Sequence, residues 1–167
     1  MSKIIVSIVA ILLIFFPNNK SLISLNQQYT YNSFVGAERI IEAFKNEDVD
    51  ALEELMCKNI KDNVENLPEK IQSLFDAVDG EIIEATYESR GGSYSGSNPG
   101  KGSITQSGVF IYITTTNNIY DISFWWETVN TYRPEETGIR AIALAKTDTN
   151  ELLERISATD GVGNWHD

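Results

Sequence analysis

The spacing of the apolar residues changes once along this chain, at Gly80, and that change limits the fold more than any other feature. Before Gly80, apolar residues recur every three or four positions, as in amphipathic helices. After it they alternate with polar residues, as in strands with one buried face. Helices followed by a meander of strands predict an α+β domain, with N-terminal helices packed on a strongly curved antiparallel sheet of about four strands.

The first two of three predicted helices are separated by a polar break at residues 46–48. Asp48 is a good N-cap for the second helix, and Asp50 lies in its first turn, where the helix dipole favours an acid. Cys57, the one cysteine, falls late in this helix and is expected to be a small buried side chain without a disulfide. The apolar stripe of the first helix is Ala37, Ile40, Ile41 and Phe44. The second helix is expected to bury Val49, Leu52, Leu55 and Met56.

The third predicted helix has the clearest start signal in the chain. Asn66 and Glu69 have the spacing of a capping box, and Pro68 falls in the first turn. Gly80 is expected to end the helix in the left-handed conformation. The buried stripe of this helix is Ile71, Leu74, Phe75 and Val78.

The first two predicted strands flank a loop rich in Gly and Ser, residues 89–102. The loop sequence GGSYSGSNPGKGS does not have phosphate-loop spacing, because Ser95 stands at the first glycine position and Gly102 follows Lys101. It is therefore predicted to be a flexible hairpin loop. The first strand has Ile83, Ala85 and Tyr87 on one face. The second, residues 104–115, has Val109, Ile111 and Ile113 on one face and Phe110 and Tyr112 on the other.

The third predicted strand follows a hairpin at Asn117–Asn118, where asparagine tolerates a positive φ. A polar link over residues 130–138 leads to a fourth strand at 139–146, and residues 149–156 are predicted as a short acidic helix. One face of the third strand is formed by Tyr120, Ile122, Phe124, Trp126 and Thr128. Its other face is formed by Asp121, Ser123, Trp125 and Glu127.

Four aromatic residues are candidates for the lining of a ligand pocket, although filling of the core is the simpler interpretation. They are Tyr87, Tyr120, Phe124 and Trp126. Asp121 and Glu127 are predicted to point away from these rings, towards solvent or a partner, so no catalytic residue is assigned unless a β-bulge reverses the faces. Trp125 is expected on the polar face, either covered by the link or the last strand, or exposed as an anchor for a protein partner or a second subunit.

Charge and composition exclude two classes of partner. The chain has 24 acids and 13 bases, a net charge of −11, and such a field repels the phosphates of nucleic acids. One cysteine and one histidine, with no calcium-loop series of aspartates, do not form a metal site, and no cofactor is expected.

The N-terminus predicts export. Lys3 precedes an apolar run, Ile4–Phe16, which is short for a membrane span, so residues 1–24 are expected to be a signal peptide or signal anchor. No cysteine follows the run, so no lipid is attached. Residues 25–32 are predicted as a polar tether and residues 33–167 as a single α+β domain. The protein is expected to be secreted or at the cell surface, touching the membrane only through this segment.

The ordered series of segments resembles the nuclear transport factor 2-like, or cystatin-like, cone. More narrowly, it resembles a family of bacterial exported proteins and lipoproteins described as domain of unknown function 5104. The similar stretches are AERIIEAFKNEDVDALEELM, LPEKIQSLFDAVDGEII, residues 91–102, YDISFWWETVN and the 134–138 link into GIRAIAL. The resemblance implies a fold and a compartment but no reaction.

Three functions are consistent with these features. The first is an exported, non-enzymatic binding domain for a small apolar ligand or a protein partner. The second is a cone-fold isomerase- or hydrolase-like enzyme that uses Tyr120 or Tyr87 with a carboxylate. The third is an immunity or inhibitor protein that uses its acidity to bind a basic exported partner.

Overall fold

In a computed structural model, residues 25–88, 93–98 and 102–158 are described. Within these ranges the chain is an α+β domain with four helices and an open antiparallel sheet of six strands, two more than the sequence suggested. The helices are α1 (Leu25–Asn46), α2 (Val49–Glu54), α3 (Lys58–Asn63) and α4 (Leu67–Asp76). The strands are β1 (Ile82–Glu88), β2 (Ser93–Asn98), β3 (Gly102–Thr115), β4 (Ile119–Asn130), β5 (Gly138–Lys146) and β6 (Glu151–Ser157).

The sheet has the order β1-β3-β4-β5-β6, and β2 also pairs with β3. Glu88 of β1 pairs with Phe110, and Ser93 of β2 pairs with Ser107, so β1 and β2 follow one another along the same edge of β3. A 3₁₀ turn, Pro134–Glu136, lies in the link between β4 and β5.

The core lies between the helices and the sheet face formed by alternate residues of β3, β4 and β5. The predicted faces of β3 and of the first part of β4 are confirmed, because their inward residues are almost completely buried. The central ones are Val109, Ile111, Ile113, Tyr120, Ile122 and Phe124. The helical residues that meet them include Ala37, Ile40, Leu52, Ile71 and Leu74.

The helix starts were predicted with mixed success. Asp48 is the N-cap of α2, and its Oδ1 accepts a hydrogen bond from the Ala51 N–H at 2.9 Å, as expected. The prediction of a capping box at α4 is wrong, because Asn66 has a left-handed backbone at φ 53° and its side chain makes no capping hydrogen bond. An N-cap residue needs extended backbone to direct its side chain at the first turn. Gly80 is left-handed at φ 95°, but α4 has already ended at Asp76.

The segment after α2 differs from the single helix expected there. Leu55 ends α2, Met56 forms an isolated parallel bridge with Ile139, and Cys57 is the N-cap of α3, a helix that the sequence did not predict. Cys57 is completely buried, as predicted. Helix α1 begins at Leu25, so residues 25–32 have helical backbone, and their role as a tether stays a prediction.

Two further elements were predicted wrongly. Residues 93–98, expected in a loop, form β2; the rest of that loop, 89–92 and 99–101, lies outside the described residues. Residues 151–157, expected in an acidic helix, form β6. A register shift between β5 and β6 leaves Leu153 without a pairing partner, so it packs on the core beside buried Ile156 while Leu152 stays exposed. This bulge explains the helix-like spacing.

Two local predictions need a correction. Ala85 and Tyr87 pack against the core as predicted, but Ile83 lies at a bulge in β1 and is 64 % exposed, and Ile82 packs against the core in its place. The hairpin between β3 and β4 is confirmed, with the Thr115 N–H donating to the Asn118 carbonyl at 2.8 Å. However, the non-glycine residues with positive φ in the described ranges are Glu47, Asn66 and Asn150, so the hairpin does not use the left-handed conformation of asparagine.

Candidate functional site

Tyr120 and Phe124 are buried in the core, and half-buried Trp126 packs against it. The Asp79 N–H donates to the Tyr120 hydroxyl at 2.8 Å, which satisfies a phenol that is 1 % exposed. The rings of Phe124 and Trp126 meet edge to face with centroids 6.2 Å apart. Trp126 lies against Gly36 of α1 so closely that a β-carbon there would be 2.7 Å from the indole. Their role as pocket lining stays a prediction.

Tyr87 lies nearer the surface, where its ring is 5.2 Å from that of Phe34. Its hydroxyl donates to Glu38 Oε1 at 3.2 Å. Partial burial, and secondarily this hydrogen bond, raises the pKa of Tyr87. Because Glu38 is exposed, this tyrosine–carboxylate pair lies on the surface. It is not in an enclosed site that excludes water from an acid–base reaction.

Glu127 is completely buried, contrary to the expectation that the odd-numbered acids of β4 meet solvent or a partner. By register it pairs with Gln106, whose side-chain N–H donates to Glu127 Oε2 at 2.7 Å. Arg140 Nη1 donates to the same oxygen at 2.7 Å, and Asn130 Nδ2 donates to Oε1 at 2.5 Å. These partners are an amide, a guanidinium and a second amide; none is a phenol. Asp121 accepts a hydrogen bond from the Thr147 hydroxyl at 2.9 Å.

Trp125 belongs to the same hydrogen-bond chain. Its indole N–H donates to Gln106 Oε1 at 2.9 Å, while Gln106 binds Glu127 through its amide nitrogen. The side chain is half-buried. The chain of bonds fixes the orientation of the indole, and its use as an anchor for a partner or second subunit stays a prediction.

An open groove of about 510 Å³ lies where α1 and α4 end and β1 begins. Its floor is formed by Phe44 and Phe75, whose rings meet edge to face with centroids 5.0 Å apart; both residues belong to the core and are only 4 % and 3 % exposed. Val78 and Ile82 add half-buried apolar walls. Three exposed charged residues complete the lining at the rim: Lys45, Glu47 and Glu81.

The wall of the groove at residues 79–81 is held by the hairpin between β3 and β4. The Thr116 N–H donates to the Glu81 carbonyl at 3.0 Å, and the Glu81 N–H donates to Thr116 Oγ1 at 3.3 Å. The Asp79 carbonyl accepts a hydrogen bond from the Thr115 hydroxyl at 2.7 Å. A β-carbon on Gly80 would lie 2.5 Å from Thr116 Oγ1, so glycine allows this close approach. The wall is therefore formed before any ligand arrives.

Sequence patterns had identified both ends of this groove without placing them together. The break at residues 46–48 and Gly80 were assigned as helix ends, but their proximity depends on how α1 and α4 cross the sheet. None of the eight lining residues was a site candidate from the sequence: Phe44, Phe75 and Val78 were assigned to buried helix faces and Gly80 to a helix end. None of the four aromatic candidates lines this groove.

No group of three or more Cys, His, Asp or Glu residues in ranges 25–88, 93–98 and 102–158 is placed to hold a metal ion. Among the same residues, no helix combines the length and apolarity needed to cross a membrane. The apolar run Ile4–Phe16 and His166 lie outside the described residues.

Fold and site together define a small α+β domain whose helices and sheet leave a preformed groove with an apolar floor and a charged rim. A family model for the domain of unknown function DUF5104 matches residues 39–147, well over half of the chain, so the chain belongs to that family. The match spans the groove and the Glu127 hydrogen bonds. No curated protein matches the chain.

Proposed function

We propose that this protein is an exported, non-enzymatic binding domain whose ligand site is the groove at the ends of α1 and α4. The observation that carries the proposal is a concave site of about 510 Å³ with an aromatic floor and a wall fixed by hydrogen bonds. Small-molecule sites in proteins commonly have volumes of about 300–1,000 Å³ and are largely preformed.

Export and the finer fold are parts of the same proposal. The apolar run behind Lys3 supports an exported protein, secreted or held at the cell surface. The order of helices followed by an antiparallel meander supports a nuclear transport factor 2-like cone. The enzymatic alternative has less support, because the Tyr87–Glu38 pair is at the surface and the partners of buried Glu127 are not phenols.

The proposal is tested by blocking the groove. The full-length chain is screened against small apolar molecules and cell-wall fragments by thermal shift, and each hit is titrated against wild type and Val78→Trp. We expect Val78→Trp to weaken binding about ten-fold or more, because the indole occupies part of the groove beside the apolar wall and obstructs a bound ligand.

Leu152→Trp is the matched control, since it adds the same side chain at an exposed position outside the groove lining. Equal affinities of wild type and Val78→Trp for every hit would contradict a site in the groove. Conversion of a hit to product, abolished by one substitution in the groove, would contradict the non-enzymatic part.

A second candidate is an immunity or inhibitor protein for a basic exported partner. The observation that favours it is the net charge of −11, which attracts a cationic protein over long range. Tight binding of a cationic protein that weakens steeply with added salt, and is unaffected by Val78→Trp, would support this candidate over the groove.

A further inference from the structure

We propose that the groove is selective for a small amphipathic cation, with its apolar part against half-buried Val78 and Ile82 and its cationic group near Glu47 and Glu81. This inference rests on the proposed function, because it names the ligand class for the same groove. Three features of the groove support it: the charges of the rim residues, the lack of partners for those charged groups within the described residues, and the dimensions of the site.

The two rim carboxylates are not neutralised by the protein. Glu47 and Glu81 are both exposed and both line the groove. Within the described ranges, neither side chain forms a hydrogen bond or a salt bridge; the main chain alone of Glu81 is bonded, to Thr116. Two unpaired carboxylates beside one apolar floor offer a cationic group direct ion pairing.

Lys45 is the one base among the lining residues, and it does not cancel the two acids. In the part of the chain that the structure describes, its ammonium is not within salt-bridge distance of any carboxylate. Two acids and one base give the lining a formal charge of −1, on a chain whose total is −11. The local and the overall charge therefore favour a cation and oppose an anion.

The dimensions favour a small molecule over a protein segment. Eight residues line the groove, whereas a stable protein interface uses about 20–30 residues on each side. The volume of about 510 Å³ is within the range of small-molecule sites. An aromatic or alkyl group carrying one ammonium can contact the apolar walls at Val78 and Ile82 and the charged rim together.

Three probes with the same apolar part separate charge from shape. The full-length chain is titrated with phenylethylammonium, 2-phenylethanol and 3-phenylpropionate by NMR at low ionic strength. We expect affinity to fall in that order, and the advantage of the cation to shrink as salt is added. Val78→Trp is expected to weaken binding of the cation and of the alcohol alike.

Substitutions of the rim should change affinity with opposite signs. Glu47→Gln and Glu81→Gln are each expected to weaken binding of the cation about two- to five-fold, and Lys45→Gln to strengthen it about two-fold, as for exposed ion pairs. Binding of 2-phenylethanol should stay unchanged in all three variants. Glu65→Gln is the control, because it removes one exposed acid just before the start of α4, whereas Val78 follows the other end of that helix, and it should change neither affinity.

Three other outcomes of these titrations would contradict the inference. Equal affinity for the cation and the alcohol, with both blocked by Val78→Trp, leaves the groove as a ligand site but removes its charge selectivity. Binding that Val78→Trp does not affect contradicts the proposed function as well. Binding of a lysine-rich peptide without binding of any of the three probes would assign the acidic surface to a protein partner.

Discussion

The carboxylate of Glu136 accepts a hydrogen bond from the backbone N–H of Asn59 at 3.1 Å, across 77 positions of the chain. Helix α3 therefore receives at its first turn an acid from the link between β4 and β5, while its own N-cap, Cys57, has no side-chain capping bond. An acid at this position also complements the helix dipole.

Removing this cap should destabilise the domain. Glu136→Ala is expected to lower the free energy of unfolding by about 1 kcal/mol, as for the loss of a helix N-cap. Chemical denaturation followed by circular dichroism measures the change. Glu135→Ala removes the neighbouring exposed acid and should have little effect; equal losses in the two variants would contradict the capping role.

Gly138 should not tolerate a β-carbon. Its φ is 132°, and a β-carbon would lie 2.6 Å from the Leu55 carbonyl oxygen. Gly138→Ala is expected to cost about 3 kcal/mol of stability, because backbone strain and a backbone clash act together. Thermal unfolding of this variant is compared with that of Thr137→Ala, the exposed neighbour. A melting temperature equal to that of the control would show that the link relaxes freely.

The ion pair between buried Glu127 and half-buried Arg140 should be strongly coupled. Arg140→Ala leaves the completely buried Glu127 carboxylate without its guanidinium, and we expect a loss of about 3 kcal/mol. In the double variant Glu127→Gln with Arg140→Ala, part of this loss should be recovered, because no charge remains buried. A double-mutant cycle of unfolding free energies measures the coupling.

The exposed pair of Lys58 and Asp62 is the control for that cycle. Both partners are about half exposed, so their coupling should be far smaller. Strictly additive effects of the Glu127 and Arg140 substitutions would show that the carboxylate is stabilised by Gln106 and Asn130 alone.

Cys57 should make stability dependent on pH above its ordinary pKa of 9.0. Burial raises the pKa of the Cys57 thiol in the folded protein, so the unfolded chain releases this proton at lower pH. The contribution of this thiol to the free energy of unfolding is fully present below its pKa in the unfolded chain. It is lost as pH rises towards its pKa in the folded protein. The free energy of unfolding should therefore fall as pH rises through and above 9.0, the ordinary pKa of the thiol.

Cys57→Ala is the control for this titration and should have a smaller slope over the same interval. Native protein should also react slowly with a thiol reagent at pH 8, and at the full rate after denaturation, since thiolate is the reactive form. Rapid labelling of the native chain would contradict the burial of the thiol.

Local patterns predicted the elements whose residues bury one regular face. The stripe from Ala37 to Phe44 and the alternation in β3 are of this kind, because each residue faces the core at the period of its own element. Asp48 was equally predictable, since an N-cap acts within its own first turn.

The errors arose where distant parts of the chain decide the structure. In β6, pairing with β5 overrides a helical spacing at Leu152, Leu153 and Ile156. The acids of β4 were assigned to its outward face from the alternation of residues alone. Alternation within one strand does not show that Gln106, Asn130 and Arg140 bind the Glu127 carboxylate. The groove was missed for the same reason, because its floor joins Phe44 and Phe75 from separate helices.

The bridge between Met56 and Ile139 also bears on the order in which the molecule is completed. The Ile139 N–H donates to the Leu55 carbonyl at 2.8 Å, and the Cys57 N–H donates to the Ile139 carbonyl at 3.0 Å. Contacts between positions so far apart raise the contact order of the fold, and folding rates fall as contact order rises. During synthesis, the connection between α2 and α3 must wait for β5 to leave the ribosome before it can settle.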